Sequence, residues 1–222
     1  RWCLAFLLLL LMLAGLFLWS LNAGSIPLTA GEVWDILIHR DGDYAAVIWK
    51  LRLPRTLSAA LLGGALSVSG FLLQTFFANP IASPFVLGIS SGAKLTVSLA
   101  MVGLLSRGVV MSSGGMILAA FAGAMLSMGF VLLLSKWLHQ MSLLVVSGVM
   151  IGYLCSAVTE FVVTFASDAN IVNLHNWSMG SFSGMTWDNV RTAALVVLPA
   201  LAAAFCLAKP MACLLYTSPS PR

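Results

Sequence analysis

Long apolar runs make up most of this chain, and the polar positions between them set its organisation. The runs lie at about Trp2 to Leu21, Thr56 to Phe77, Phe85 to Leu105, Val109 to Leu134, Leu143 to Phe165 and Thr192 to Leu207. Most are close to the roughly 20 residues that a helix needs to cross the hydrocarbon of a bilayer. The pattern predicts an all-α, polytopic membrane bundle with six spans, the last of them short. The first run has too long an apolar core for a secretory signal and no small-residue cleavage pattern, so it reads as an anchor.

Within the spans, small residues recur at helical spacing. Ala59, Gly63, Ser67, Gly70 and Gln74 share one face of the second span. The same design recurs at Gly88, Gly92 and Thr96, at Gly115, Ala119, Gly123 and Ser127, and at Gly148, Gly152, Ser156 and Glu160. Lipid supplies no hydrophobic force between helices, so flat faces that let backbones approach mark helix packing. Four consecutive spans are therefore expected to pack tightly.

The connections differ in kind. Between the first two spans, Asn22 to Arg55 carries Glu32, Asp35, Arg40, Asp41, Asp43, Lys50, Arg52 and Arg55. Within it, TAGEVWDILIHR has Thr29 and Glu32 spaced as a capping box, followed by apolar Val33, Trp34, Leu37 and Ile38. This predicts a short amphipathic helix lying on the membrane surface. Asn79-Pro80 and Ser83-Pro84 break the chain after the second span, because the residue before a proline is pushed out of helical geometry. A turn that short and uncharged suits either packed backbone at membrane depth or a tight interfacial loop. SRG and KWLHQM are further short links, and Ala166 to Arg191 is a longer one, in which Trp177 and Trp187 flank a Gly/Ser-rich segment as residues of the membrane boundary do.

Composition agrees and removes other classes. Of 222 residues, 60% are hydrophobic and 8% charged, too few polar groups to cover a water-soluble globule. The net charge of +4 is scattered, with no basic stripe for nucleic acid. Cys3, Cys155, Cys206 and Cys213 show neither metal-ligand spacing nor a disulfide framework. GISSGAKL lacks the glycine that a phosphate-binding loop needs before its lysine, since Ala93 precedes Lys94. No catalytic motif is present, His39, His139 and His175 all fall in connections, and neither an enzyme, a metal site nor a cofactor is expected. Glu160 and Lys94 are the candidate intramembrane polar site, because an ionisable group inside a span is costly. Lysine and arginine do not settle orientation. With the N-terminus inside, the inner side holds Arg1, Lys136 and Lys209 and the outer side Arg40, Lys50, Arg52, Arg55, Arg107 and Arg191, against the positive-inside rule.

RLPRTLSAALLGGALSVSGFLLQ, NPIASPFVLGISSGA, WSMGSFSGMTW and AKPMA, in that order, resemble the FecCD-type permease subunits of ABC importers for iron-siderophores, haem and cobalamin. The resemblance covers about Ala5 to Ala212. It implies a fold of about ten helices per subunit, of which residues 1–212 would be a partial permease domain. It implies as partners a second permease subunit in a homodimer or pair, cytoplasmic ATPase subunits, a periplasmic or lipid-anchored substrate-binding protein, and membrane lipid. It implies the bacterial inner membrane, with the N-terminus cytoplasmic and Asn22 to Arg55 outside. Arg52 and Arg55 match the family's docking arginines, whose planar forks suit carboxylates of the binding protein. Gly63, Ser67, Gly70, Gln74, Asn79, Pro80, Gly88 and Gly92 would serve the pathway or helix packing. After AKPMA the family continues into a helix that seats in the ATPase, whereas this chain reads CLLYTSPSPR. Residues 213–222 therefore read as a divergent, non-native tail, and transport as a property of the intact protein.

Two other readings compete. One is half of a secondary transporter, coupled to protons or sodium through Glu160, for which a helix broken at ANPIASP is suited. The other is a membrane scaffold that only assembles partners.

Overall fold

The structure is a computed structural model that describes residues 2–26, 28–77, 79, 80, 83, 85–105, 111–138 and 140–216. Its elements are α1 (Trp2–Asn22), α2 (Ala30–His39), a short α3 (Ala45–Val47) running into a π-helical turn (Ile48–Arg52), α4 (Leu53–Phe77), α5 (Ile89–Leu105), α6 (Ser113–Ser135), α7 (Met141–Thr164), α8 (Asp168–Met179) and α9 (Trp187–Tyr216). The chain divides into two compact units, Arg1–Val68 with Ser181–Arg222, and Ser69–Gly180.

Among the described residues, five helices are long and apolar enough to cross a membrane: Trp2–Asn22, Ala45–Phe77, Gly114–Ser135, Ser142–Thr164 and Trp187–Lys209. The third predicted span is corrected at its start. Phe85–Gly88 form turns and the helix begins only at Ile89, because Gly88 takes a left-handed conformation with φ of 71°. Within the described residues α5 has 17 residues, about 25 Å at 1.5 Å per residue, at the lower end of what a spanning helix needs. The last span is corrected the other way, since α9 begins at Trp187 and runs well past Leu207. The long connection from Ala166 to Arg191 is not all loop either: it contains α8, which buries Asn170 and Leu174. Two of the histidines lie on helices within those connections, His39 at the end of α2 and His175 in α8, while His139 lies outside the described residues.

In the first unit the core is Leu21, Leu28, Val33, Ile36, Ile48 and Leu53. The capping box forms as its spacing predicts. The Thr29 N–H donates to the Glu32 carboxylate at 2.7 Å, and Thr29 Oγ1 accepts from the Glu32 N–H at 3.4 Å. The buried face of α2 is Val33 with Ile36, while Trp34 and Ile38, expected on that face, are exposed. A helix three turns long can bury only one narrow stripe against its neighbours, and here i, i+3 spacing selects it.

The second unit is built around α5, which has glycine faces on two sides. A Cβ on Gly92 would come within 2.6 Å of Ser127 Cβ and 2.7 Å of the Gly123 carbonyl, and one on Gly123 would run into Thr96 and Gly92. On α7, a Cβ on Gly148 would lie 2.9 Å from Leu87 Cα. Such approach lets dispersion and interhelical hydrogen bonds act between backbones. Thr96 Oγ1 donates to the Ala119 carbonyl at 2.7 Å, and Ser127 Oγ donates to the Gly88 carbonyl at 3.0 Å. Phe77, Leu87, Val131 and Leu144 form the apolar core beside these contacts.

Candidate functional site

The RLPR segment begins inside a defect in the helix. Proline 54 has no N–H, and in a regular α-helix its ring would press on the carbonyl four residues back. The chain widens into the π turn instead, and the Leu53 N–H bonds the Ile48 carbonyl, passing over Trp49. The next nitrogen in the wider pattern belongs to Pro54, so the Trp49 carbonyl has no helical donor. Trp187, at the start of α9, supplies one: its indole N–H donates to the Trp49 carbonyl at 2.7 Å, and the two rings stack with centroids 6.3 Å apart. The Trp49 indole in turn donates to the Ile36 carbonyl of α2 at 3.1 Å, and the Arg40 guanidinium lies 4.3 Å from the centroid of the Trp49 ring. One π turn thereby ties together α2 and α9.

The two arginines of the segment stand in different surroundings. Arg52 is half-buried. Its Nη1 donates to the carbonyls of Leu21 at 2.8 Å and Asn22 at 3.1 Å, and its Nη2 to that of Ile26 at 2.7 Å. Arg55, one turn on, is exposed and makes no hydrogen bond or ion pair among the described residues. Lys50 is exposed as well. Glu32 lies on the same unit, and the two hydrogen bonds it accepts from Thr29 hold its carboxyl below the usual glutamate range.

The other candidate residues separate into packed and open sets. Gly88 and Gly92 are closed in by α7 and α6: a Cβ on Gly88 would lie 2.8 Å from the Gly148 carbonyl and from Gly152 N. By contrast, Gly63 and Gly70 have nothing within 4 Å of a Cβ, and Ser67 and Gln74 are exposed, the Ser67 hydroxyl donating only to the Gly63 carbonyl of its own helix. The Asn79 N–H returns to the Gln74 carbonyl at 3.1 Å and closes α4, and Pro80 is exposed in the turn that follows. Ala78, Ile81, Ala82 and Pro84 of the proline-broken link lie outside the described residues, as do Ser106–Gly108. On α7 the packed face is Gly148, Gly152 and Thr159, which is 3% exposed, whereas Glu160 points away and is exposed. Lys94 is exposed too, and Lys94 and Glu160 form no ion pair among the described residues. Nor do the described residues contain a group of three or more His, Cys, Asp or Glu placed to hold a metal ion.

Residues 9–219 match the family model described as the FecCD transport family. The chain belongs to that family. It is 35% identical to the hemin transport system permease protein HmuU of Yersinia pestis over 201 residues, covering 90% of this chain and 59% of that one. It is 33% identical to the vitamin B12 import system permease protein BtuC of Escherichia coli over 218 residues, covering 95% and 61%. A solved structure of a metal-chelate type ABC transporter in an inward-facing conformation superposes with a TM-score of 0.77 at 25% identity, over 95% of this chain and 63% of that one. The chain therefore spans about three-fifths of the length of these relatives.

As a FecCD protein with several spanning helices, the chain is a polytopic protein of the bacterial inner membrane. Its sequence motifs point to RLPR and the glycine signatures, but not to the bonds that Arg52, Trp49 and Trp187 make. A signal for one of them was present: a proline one turn inside a helix always leaves a carbonyl in need of another donor.

Proposed function

We propose that the chain is part of the permease subunit of an ATP-driven importer for metal chelates, haem or cobalamin-like cargo. The family match over residues 9–219 carries this reading. Relatives named for hemin and vitamin B12 transport, and a structural neighbour named for metal chelates, support the cargo class. A pathway for such cargo needs a wide passage with few fixed charges, since tight ionic sites would trap it, and only 8% of the chain's residues are charged.

In this reading the permease forms a homodimer or pairs with a related subunit, ATP is hydrolysed by separate cytoplasmic subunits, and a periplasmic or lipid-anchored binding protein delivers the cargo. The binding protein docks at the RLPR end of α4, where carboxylates meet arginine; Arg55, exposed and unpaired among the described residues, supports that assignment. Charged pairs of this kind set register and encounter rate more than affinity.

The test is uptake into proteoliposomes holding the permease with its ATPase and binding protein, using hemin, cyanocobalamin and a ferric siderophore in parallel. Accumulation of one cargo that requires ATP and survives a protonophore is the expected result. Uptake that persists without ATP and collapses with the proton gradient would overturn it in favour of coupling through Glu160, and no uptake of any cargo would favour a scaffold.

A further inference from the structure

The two arginines of RLPR belong to one motif, but their hydrogen bonding is not equivalent. We propose that they divide the work: Arg52 is a positioning residue that clamps the turn after α1, and Arg55 alone of the two offers its charge to the partner. This rests on the docking reading above.

The clamp follows from what a helix end lacks. The last carbonyls of α1 have no donors within the helix, and they form the negative end of its dipole. The Arg52 guanidinium meets both needs, with Nη1 shared between the Leu21 and Asn22 carbonyls and Nη2 on that of Ile26. The turn wraps closely round the guanidinium: a Cβ on Gly24 would lie 2.5 Å from Nη2 and 2.9 Å from Cζ, so a residue without a side chain stands there. Ser20 and Thr56 join the same ends of α1 and α4 through their hydroxyls at 3.2 Å. Both hydrogens of Nη1 and one of Nη2 are engaged, so an end-on grip of a carboxylate through Nη1 and Nη2 would require releasing backbone carbonyls that have no other donor among the described residues, and only the side-on pair of Nε and Nη2 is left to Arg52. Arg55 has no such commitment among the described residues, so its whole fork is available.

Charge alone does not distinguish the two roles, but geometry does. Lysine at position 55 keeps a point charge, which is sufficient for an exposed ionic contact. Lysine at position 52 keeps the charge but loses the flat fork that reaches three carbonyls. The experiment measures binding-protein affinity against salt for the intact permease in nanodiscs, as wild type and as Arg52→Gln, Arg52→Lys, Arg55→Gln and Arg55→Lys. Amide exchange of residues 22–26 is followed in the same samples without the partner. Arg55→Gln is expected to flatten the salt dependence and Arg55→Lys to restore it, both leaving exchange at 22–26 unaltered. Arg52→Gln and Arg52→Lys are both expected to speed that exchange by roughly tenfold, the loss of a charge-assisted hydrogen bond, and to weaken docking equally at all salt concentrations. Arg52→Gln flattening the salt dependence as Arg55→Gln does, or exchange at 22–26 that does not change, would overturn the clamp. Salt dependence insensitive to both positions would overturn the docking reading and with it the role of Arg55, while the exchange data would still decide that of Arg52.

Discussion

Trp187 donates its indole N–H to the carbonyl of Trp49, at 2.7 Å, across 138 positions of sequence. The acceptor is the carbonyl that Pro54 leaves without a helical donor, so a local defect in one element is repaired by the first residue of another. Trp187→Phe keeps most of the ring contact and removes the donor. It is expected to cost about 1 kcal/mol in resistance to unfolding in detergent, the loss of one hydrogen bond to a part-buried carbonyl. Pro54→Ala restores a backbone N–H, and in that background the loss from Trp187→Phe is expected to shrink; a double-mutant cycle measures the coupling.

Glycines 63 and 88 read alike in the sequence and differ in space. Gly88→Ala must place a Cβ in a left-handed backbone conformation and against the Gly148 carbonyl, so it is expected to destabilise the unit 69–180 by roughly 2 to 4 kcal/mol. Gly63→Ala meets nothing within 4 Å, and the better helix former is expected to stabilise α4 in this chain by up to about 1 kcal/mol. Chemical denaturation of the two variants in the same detergent compares them directly.

The hydroxyl of Ser127 is a buried donor to the Gly88 carbonyl at 3.0 Å. Ser127→Ala leaves that carbonyl unbonded by α6, and a loss of about 1 kcal/mol is expected, measured as faster amide exchange in the Phe85–Gly88 turn and the first turn of α5. Ser135→Ala serves as the control, since that hydroxyl is exposed and bonds only its own helix.

Acid should release the start of α2. The Glu32 carboxyl is held below its usual pKa by accepting from Thr29, so the folded state binds the proton less readily than the unfolded state does. Its contribution is therefore complete above the unfolded-state value of about 4.3 and is lost as the pH falls through the lower folded-state value. Amide exchange at residues 29–33 is expected to rise over that window in the wild type. In Glu32→Gln, which cannot titrate, the rise should be absent.

The periods of apolar and small residues, and the capping box at Thr29 and Glu32, were enough to read the helices, their lipid surroundings and the glycine seams of α5 with α6 and α7. These features are local: each depends on residues within a few turns of one another, and a helix in lipid must satisfy its own backbone wherever it lies. The start of α5 is not legible in the sequence, because apolar residues alone do not reveal that Gly88 turns left-handed. Steps of four from Gly148 lead to Glu160, which is exposed, whereas the i+11 step, equally helical, leads to the buried Thr159. RLPR was legible as a signature, but the difference between Arg52 and Arg55 was not.

By itself, the sequence determined that this is a helical membrane protein of the FecCD kind, since hydrophobic length and ordered motifs are properties of the chain read in one dimension. Only the tertiary structure decided which glycine faces are filled, that Trp187 completes the turn opened by Pro54, and that Arg52 is taken up by three carbonyls while Arg55 is not. The physical reason is that a side chain's donors are assigned by whichever orphaned acceptors the folded backbone brings within about 3 Å, and those acceptors come from residues far away in the chain.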